Sequence, residues 1–444
     1  MRTLRKARTR AVLLVVMTVI GHAAAVWGAA ALAAATPLDS MAAASGPPAT
    51  VLAAALALAA PAARANSTLA VPELVAEAPA EASALAAAPL RAAAVAVWGA
   101  TALAVPAPAG TAIWPLIGRE TPCVYCDVAA AAFGEASASI DVLLSTMEVE
   151  GDPVVEALVG ACARGVSVRV LLDQSDFQPS ITEKNARAVA FLVAQGIDAR
   201  LDDAATTTHA KLAIVDRVTV FVGSTNWNHY ALFEHRQADV RIDDERVGAA
   251  FGDFFDRLWA DPSAPLGMTF DGVEVPADGP ALVVLPDAGQ STLYGSFVLD
   301  LLSHATTSVH AALYRVSIYP QFADSATSAL VDGLIQAAGR GLEVRVLMDD
   351  CSFYADSAEA NLESAIFLYQ SGIDVRLDDA DVTTHAKLLV VDGETVVLGS
   401  TNWNYYSVER NIEANVALVR MPDVASVFES YFASLWADGR RIVP

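Results

Sequence analysis

The sequence predicts two α/β sandwich domains in tandem, copies of one unit, and three observations carry the prediction. The stretch "TTHAKLAIVDRVTVFVGSTNWN" (207–228) returns as "TTHAKLLVVDGETVVLGSTNWN" (383–404), 176 residues further on. The likeness is wider than that: between positions 196 and 230, 25 of 35 residues equal their counterparts, and the spacing holds without a gap from 163 to 240. In each copy, apolar runs of strand length alternate with segments of helical spacing, the pattern of a layered α/β unit. A repeat of about 140 residues is too long for a solenoid and suits a duplicated domain.

The elements follow in order. "SIDVLLST" (139–146) is an apolar strand, and 153–164 has helical spacing ended by Gly165. "VSVRVLLD" (166–173) is a second strand, 183–195 a helix stopped by Gly196, and "DARL" (198–201) a short strand. "AKLAIVD" (210–216) and "VTVFVG" (218–223) are strands joined by a tight turn at Asp216 and Arg217; the counterpart turn "VDGET" (391–395) holds the Asp-Gly pair that favours a hairpin. "ADVRI" (238–242) precedes a helix over 244–259. Upstream, "ASIDVLLST" (138–146) pairs with "TSVHAALYR" (307–315) at a spacing of 169, so the second copy holds seven extra residues near "SIYPQFA" (317–323).

Bulk properties narrow the function. The 444 residues carry 51 acids against 28 Lys plus Arg, a net charge of −23. A protein that grips nucleic acid by its phosphates needs a basic face, so this balance speaks against such a role without excluding a local basic pocket. Arg2, Arg5, Lys6, Arg8 and Arg10 crowd the start, and an apolar run at 11–35 ends in small residues. That is the pattern of a secretory signal or membrane anchor (1–35), which places the mature protein outside the cytoplasm, secreted or anchored. Residues 36–113 are rich in Ala and Pro and read as a low-complexity linker. The first domain is then 114–265 and the second 266–444. In an exported protein Cys123 and Cys126 can close a disulfide, while Cys162 and Cys351 read as buried thiols. With no second Cys pair there is no zinc pattern, and no cofactor is implied.

The polar letters of the repeat carry the chemistry. His209 and Lys211 lie two apart on a strand and leave the same face. Ser224 and Asn226 follow the end of the next strand, and Asp216 closes the turn between them. Imidazole, ammonium, hydroxyl and carboxamide together suit an oxyanion such as phosphate: charge from Lys, donors from Ser and Asn, a nucleophile or proton from His. One such cluster is unremarkable as a solvated strand edge. Two copies that keep these letters while Ala213/Leu389, Ile214/Val390 and Phe221/Val397 drift are another matter.

The pattern H-x-K-x4-D-x6-G-S-x-N resembles the signature of the phospholipase D superfamily, and it occurs twice: His209, Lys211, Asp216, Gly223, Ser224, Asn226, and His385, Lys387, Asp392, Gly399, Ser400, Asn402. The resemblance implies two halves packed about a pseudo-twofold axis, each supplying half of one active site, so that a monomer suffices. It implies catalytic roles for His209, Lys211, Asp216, His385, Lys387 and Asp392. One His attacks phosphorus and the other protonates the leaving alcohol; Ser224, Asn226, Ser400 and Asn402 hold the phosphate oxygens. Neither a metal nor a cofactor is called for. In the family an acidic residue 28 positions after the motif His bonds its ring. Here Gln237 stands there in the first copy and Glu413 in the second, which leans His209 toward attack and His385 toward proton donation, with Asp239 as a substitute for Gln237. Trp227 and Trp403 read as core or pocket lining, His229 and His235 as candidates for substrate contact, and Glu148, Asp173 and Asp349 as structural.

The family cleaves phospholipids, transfers phosphatidyl groups, and cuts DNA or RNA with the same centre, so the motifs set the reaction and not the substrate. The exported start and acidic balance favour a phospholipid and contact with a membrane. The compact halves resemble the family's small nucleases, which keeps nucleic acid open as a partner. A surface binding module with a relict site is disfavoured because neither motif has lost a member.

Overall fold

A computed structural model describes residues 104–107, 111–118, 123–262, 275–276, 278–288, 291–318, 324–350 and 353–442. The expected signal or anchor (1–35), most of the expected linker, and Cys351 lie outside the described residues. Among the described residues no helix is long and apolar enough to cross a membrane.

The strands, in chain order, are β1 (Ala104–Pro106), β2 (Ala112–Gly118), β3 (Ser139–Leu144), β4 (Ser167–Leu172), β5 (Asp198–Leu201), β6 (Lys211–Val215), β7 (Thr219–Gly223), β8 (Gln237–Asp243), β9 (Ala281–Asp287), β10 (Ser308–Leu313), β11 (Glu343–Met348), β12 (Asp374–Leu377), β13 (Lys387–Val391), β14 (Thr395–Gly399), β15 (Glu413–Val419) and β16 (Arg440–Arg441). The first sheet runs β2-β8-β7-β6-β3-β4-β5 and the second β9-β15-β14-β13-β10-β11-β12, the same order in equivalent elements. β1 and β16 add to the edges of the second sheet. β1 lies within the stretch expected to be linker, yet it pairs antiparallel with β9.

Helices flank both sheets, as the alternation predicts. The helix Pro153–Ala163 begins at Asp152, whose carboxylate accepts from Val154 and Val155 N–H, the N-cap chemistry that satisfies orphan donors. The helix expected at 183–195 starts earlier, as Pro179–Ala194, because Pro179 stands in its first turn, where a missing N–H costs nothing. The helix Glu245–Ala260 packs Phe251, Phe254 and Phe255 into an apolar core shared with β9, β13, β14 and β15, so the two halves bury one surface together. The opposite face of the first sheet has its own core around Phe133, Leu144 and Trp227.

The halves are also stitched by backbone at the site. Ile412 O accepts from the N–H of His209 and of Ala210 at 2.8 and 2.9 Å, and Arg236 O accepts from His385 N–H at 2.8 Å. Ile412 N–H returns to Thr207 O and Arg236 N–H to Thr383 O, both at 2.9 Å. Each catalytic-candidate His is thus held by the other half, a reciprocal contact of the kind twofold symmetry generates.

Candidate active site

β6 and β13 are each central in their sheets, and their first residues, Lys211 and Lys387, point into the interior, 3% and 2% exposed. Their ammonium groups donate to the carbonyls of His209 (2.5 Å) and His385 (2.7 Å). Burial pulls the Lys211 ammonium down to about 8, with Glu413, Asp173 and Asp239 opposing it. Burial, reinforced by the Lys211 charge, holds Lys387 well below its ordinary value. Both His residues line one cavity of about 1500 Å³, together with Asn226 and Asn402.

The ring partners cross between the halves. His209 Nδ1 lies 3.1 and 3.2 Å from the two carboxylate oxygens of Glu413. His385 Nδ1 lies 3.0 Å from Ser224 O and 3.2 Å from Gln237 Oε1. This corrects the expectation that Gln237 serves His209 and Glu413 serves His385. The spacing of 28 finds the right residues, but the strands that carry them, β8 and β15, each present their first side chain to the opposing half. Asp239 is no substitute either: its carboxylate is taken by the N–H and hydroxyl of Thr225.

Electrostatics follow the partners. Burial lowers the His209 pKa, and the Glu413 charge opposes the shift. His385 is held well below its ordinary value by burial first, then by the charges of Lys387 and Lys211. Burial pushes the Glu413 carboxyl up, but the charge and hydrogen bond of His209, with Lys211 and Ser400, more than offset it and keep Glu413 ionised. Asn411 Nδ2 also donates to Glu413, at 3.1 Å.

The Asp and Ser residues of the motif depart from their expected roles. Asp216 and Asp392 are not in the site. They follow the far ends of β6 and β13, about 16 Å of strand from the Lys at a rise of ~3.3 Å per residue. There the Asp216 carboxylate accepts from Ser137, Ala138 and Ser139 N–H, and Asp392 accepts from Thr306, Thr307 and Ser308 N–H. Both sit at left-handed φ (51° and 54°), where Asp tolerates a tight turn. Ser224 and Ser400, expected to hold phosphate, are fully buried. Ser224 Oγ donates to Gln237 Oε1 and accepts from Ala238 N–H; Ser400 Oγ donates to Glu413 Oε2 and accepts from Ala414 N–H. Each hydroxyl braces the ring partner from behind. The preceding Gly is needed because a Cβ at Gly223 would stand 2.3 Å from Asp239 Oδ1, and one at Gly399 2.3 Å from Asn415 Oδ1.

Asn226 and Asn402 stay on the cavity wall, each with an Oδ1 that has no hydrogen-bond partner among the described residues. Trp227 and Trp403 are core: fully buried, their Nε1 donating to the hydroxyls of Tyr125 (3.0 Å) and Tyr294 (2.9 Å). His235 lines the cavity 6.1 Å from the His385 ring, whereas exposed His229 pairs with Glu234. Asp173 and Asp349 accept from Thr208 and Thr384 N–H, fixing the approach to each His; Glu148 pairs with Lys184 at the cavity edge. Cys123 and Cys126 form a disulfide, and Cys162 is a half-buried thiol. The sequence reading missed Tyr314, whose ring lies 4.6 Å from His385. Its signal was present: "HAALYR" is the strand beside β13, and its end reaches the same sheet edge as Lys387.

The family model described as "Cardiolipin synthase, PLD-like domain" matches residues 130–259 and 298–436, more than half of the chain. A mitochondrial cardiolipin hydrolase of Chlamydomonas reinhardtii is 26% identical over 138 residues, 31% of this chain and 55% of that protein. A phospholipase D of Rickettsia prowazekii is 30% identical over 118 residues, 26% of this chain and 55% of that protein. The chain therefore spans about half the length of these curated relatives. The solved phosphatidylserine synthase of Haemophilus influenzae aligns with a TM-score of 0.60 over 74% of this chain and 87% of its own, at 14% identity, a likeness of fold.

Proposed function

Because the chain belongs to this phospholipase D-like family, we propose that it is a phospholipid phosphodiesterase that works through a phosphohistidine. One observation carries the reading: two imidazoles from opposite halves face one cavity, each with Nδ1 engaged, which leaves Nε2 as the reacting nitrogen of each. His209 Nε2 attacks phosphorus. The P–O bond to the alcohol breaks on the far side, and His385 supplies the proton to that oxygen. Water then attacks phosphorus, His385 takes its proton, and the P–N bond breaks, giving a phosphomonoester and restoring both rings. Splitting the displacement in two avoids direct attack of water on a diester anion. A second alcohol in place of water gives phosphatidyl transfer by the same steps.

The assignment of His209 as nucleophile keeps the sequence expectation for a different reason. An imidazole bonded to phosphorus becomes cationic, and its Nδ1–H then faces an ionised carboxylate, Glu413, placed where charge develops. The Nδ1 of His385 faces two neutral oxygens, of Ser224 and Gln237, so the ring holds its extra proton weakly and releases it readily once the diester anion has brought it there. Lys211 and Lys387 supply the positive field behind the rings, and Asn226 and Asn402 supply the amide donors. Export is proposed from the basic, apolar start, and the Cys123–Cys126 disulfide supports it, since such bonds persist in oxidising compartments. The full chain, assayed in chelator on phosphatidylcholine, cardiolipin and single-stranded DNA, should release alcohol from lipid. Cleavage of DNA alone would replace the lipid reading with a nuclease.

A further inference from the structure

The loops after β4 and β11 each place one Phe in solvent. Among the nine aligned pairs from 174/350 to 182/358, Phe177 and Phe353 are the one identical pair. A Phe kept amid such drift is ordinarily a core residue, yet each of these is 77% exposed. Tyr230 and Tyr406, again 176 positions apart, are 58% and 52% exposed. All four stand around the mouth of the cavity that holds His209 and His385, and the Phe177 ring lies 6.1 Å from that of Tyr406 across the halves.

Residues related by a twofold axis stand at equal height along it. An axis that runs between the two His residues therefore raises Phe177 and Phe353 together, one on each side of the mouth. A flat partner meets both at once, and a bilayer is flat. Phe seats its ring among acyl chains while Tyr keeps its hydroxyl at the headgroup level. We propose that this aromatic rim is the surface by which the protein docks on a lipid bilayer, bringing a diester to the cavity; the inference rests on the phospholipid reading above. The occupant is selected by apolar contact and not by charge. The chain's net charge is −23, and around the mouth Glu148, Asp176 and Asp356 are matched by Lys184, Arg315 and Arg410, so no basic face favours anionic lipid. Docking should hold on zwitterionic vesicles and change little with salt.

The test compares the full chain with the double variant Phe177→Ser/Phe353→Ser, both sites being exposed. The apolar N-terminal run could hold either form on a vesicle, so the readouts are local. Phosphatidylcholine vesicles should slow amide exchange in the 174–178 and 353–357 peptides of the parent. The variant should lose about tenfold in turnover on vesicles and stay within about twofold on monomeric short-chain phosphatidylcholine. Equal loss on both substrates, or full vesicle turnover without protection, overturns the docking proposal and leaves the phospholipid reading standing. A parent that cleaves single-stranded oligonucleotide and neither form of lipid overturns both, and the four rings are then base-stacking platforms.

Discussion

In the first half the ring of His209 faces a carboxylate, Glu413; in the second the ring of His385 faces a carboxamide, Gln237. Around them the halves diverge further. Asn411 braces Glu413, whereas its counterpart His235 turns to the cavity beside His385. Tyr314 lies against His385 where the first half has Ser145. A duplication that keeps His, Lys, Ser and Asn has therefore become two unlike half-sites. The lesson is that a repeated motif specifies which groups meet, while their unmatched neighbours decide which group attacks and which donates.

Removing either ring tests whether the half-sites act as one. His209→Ala and His385→Ala should each reduce kcat by at least about 10³-fold, because members of a catalytic unit are not additive. Steady-state turnover checks this, and a variant retaining a few per cent of activity would break the shared site into two. Next comes the carboxylate. Glu413→Gln should lower kcat by about 10²–10³-fold by removing charge stabilisation at the phosphorylated ring. Glu413 raises the pKa of His209 against burial, so its loss lowers that pKa further. His209 must be unprotonated to attack, and the acid limb of kcat/KM should move to lower pH.

Copying the carboxylate into the other half sharpens the contrast. Gln237→Glu sets an anion beside His385 Nδ1 and raises its pKa, so the limb on which the donor loses its proton should move to higher pH, with kcat changed about tenfold or less. The ammonium at Lys211 sets a separate limit. Its pKa is lowered to about 8, so its charge is present below that pH and lost as pH rises through it. The kcat/KM profile should fall near pH 8, far under the range of a free lysine.

The smallest effect on turnover is expected at the motif Asp. Asp216→Ala should leave kcat within about twofold and destabilise the fold by roughly 1–3 kcal/mol, since three N–H groups lose their acceptor. Thermal unfolding and turnover measured together separate the two. A collapse of kcat in a folded variant would return Asp216 to the site.

Much of this was legible in the sequence because it is periodic. The strands of each copy, the hairpin at Asp392 and Gly393, and the pairing of His with Lys on one face follow from alternation and turn chemistry. What was not legible depends on tertiary packing. The exchange of Gln237 and Glu413 is a property of how the halves meet, and no spacing within one copy encodes it. The remoteness of Asp216 was implicit in the rise of the strand, for a residue five places beyond a Lys cannot share its end. The burial of Ser224 depends on β8 lying against β7, which local pattern does not reveal. β1 escaped notice because three residues in an Ala/Pro-rich stretch carry no period.

The nucleophile is the point on which the account stands. Quenching the enzyme in acid-free denaturant during turnover of a slow phospholipid substrate traps the acid-labile phosphoryl adduct, and peptide mass spectrometry locates it. The adduct should sit on the peptide containing His209 and be lost from that peptide in Glu413→Gln. An adduct found on the His385 peptide instead would contradict the account, because the ring opposite the carboxamide would then be the one that attacks.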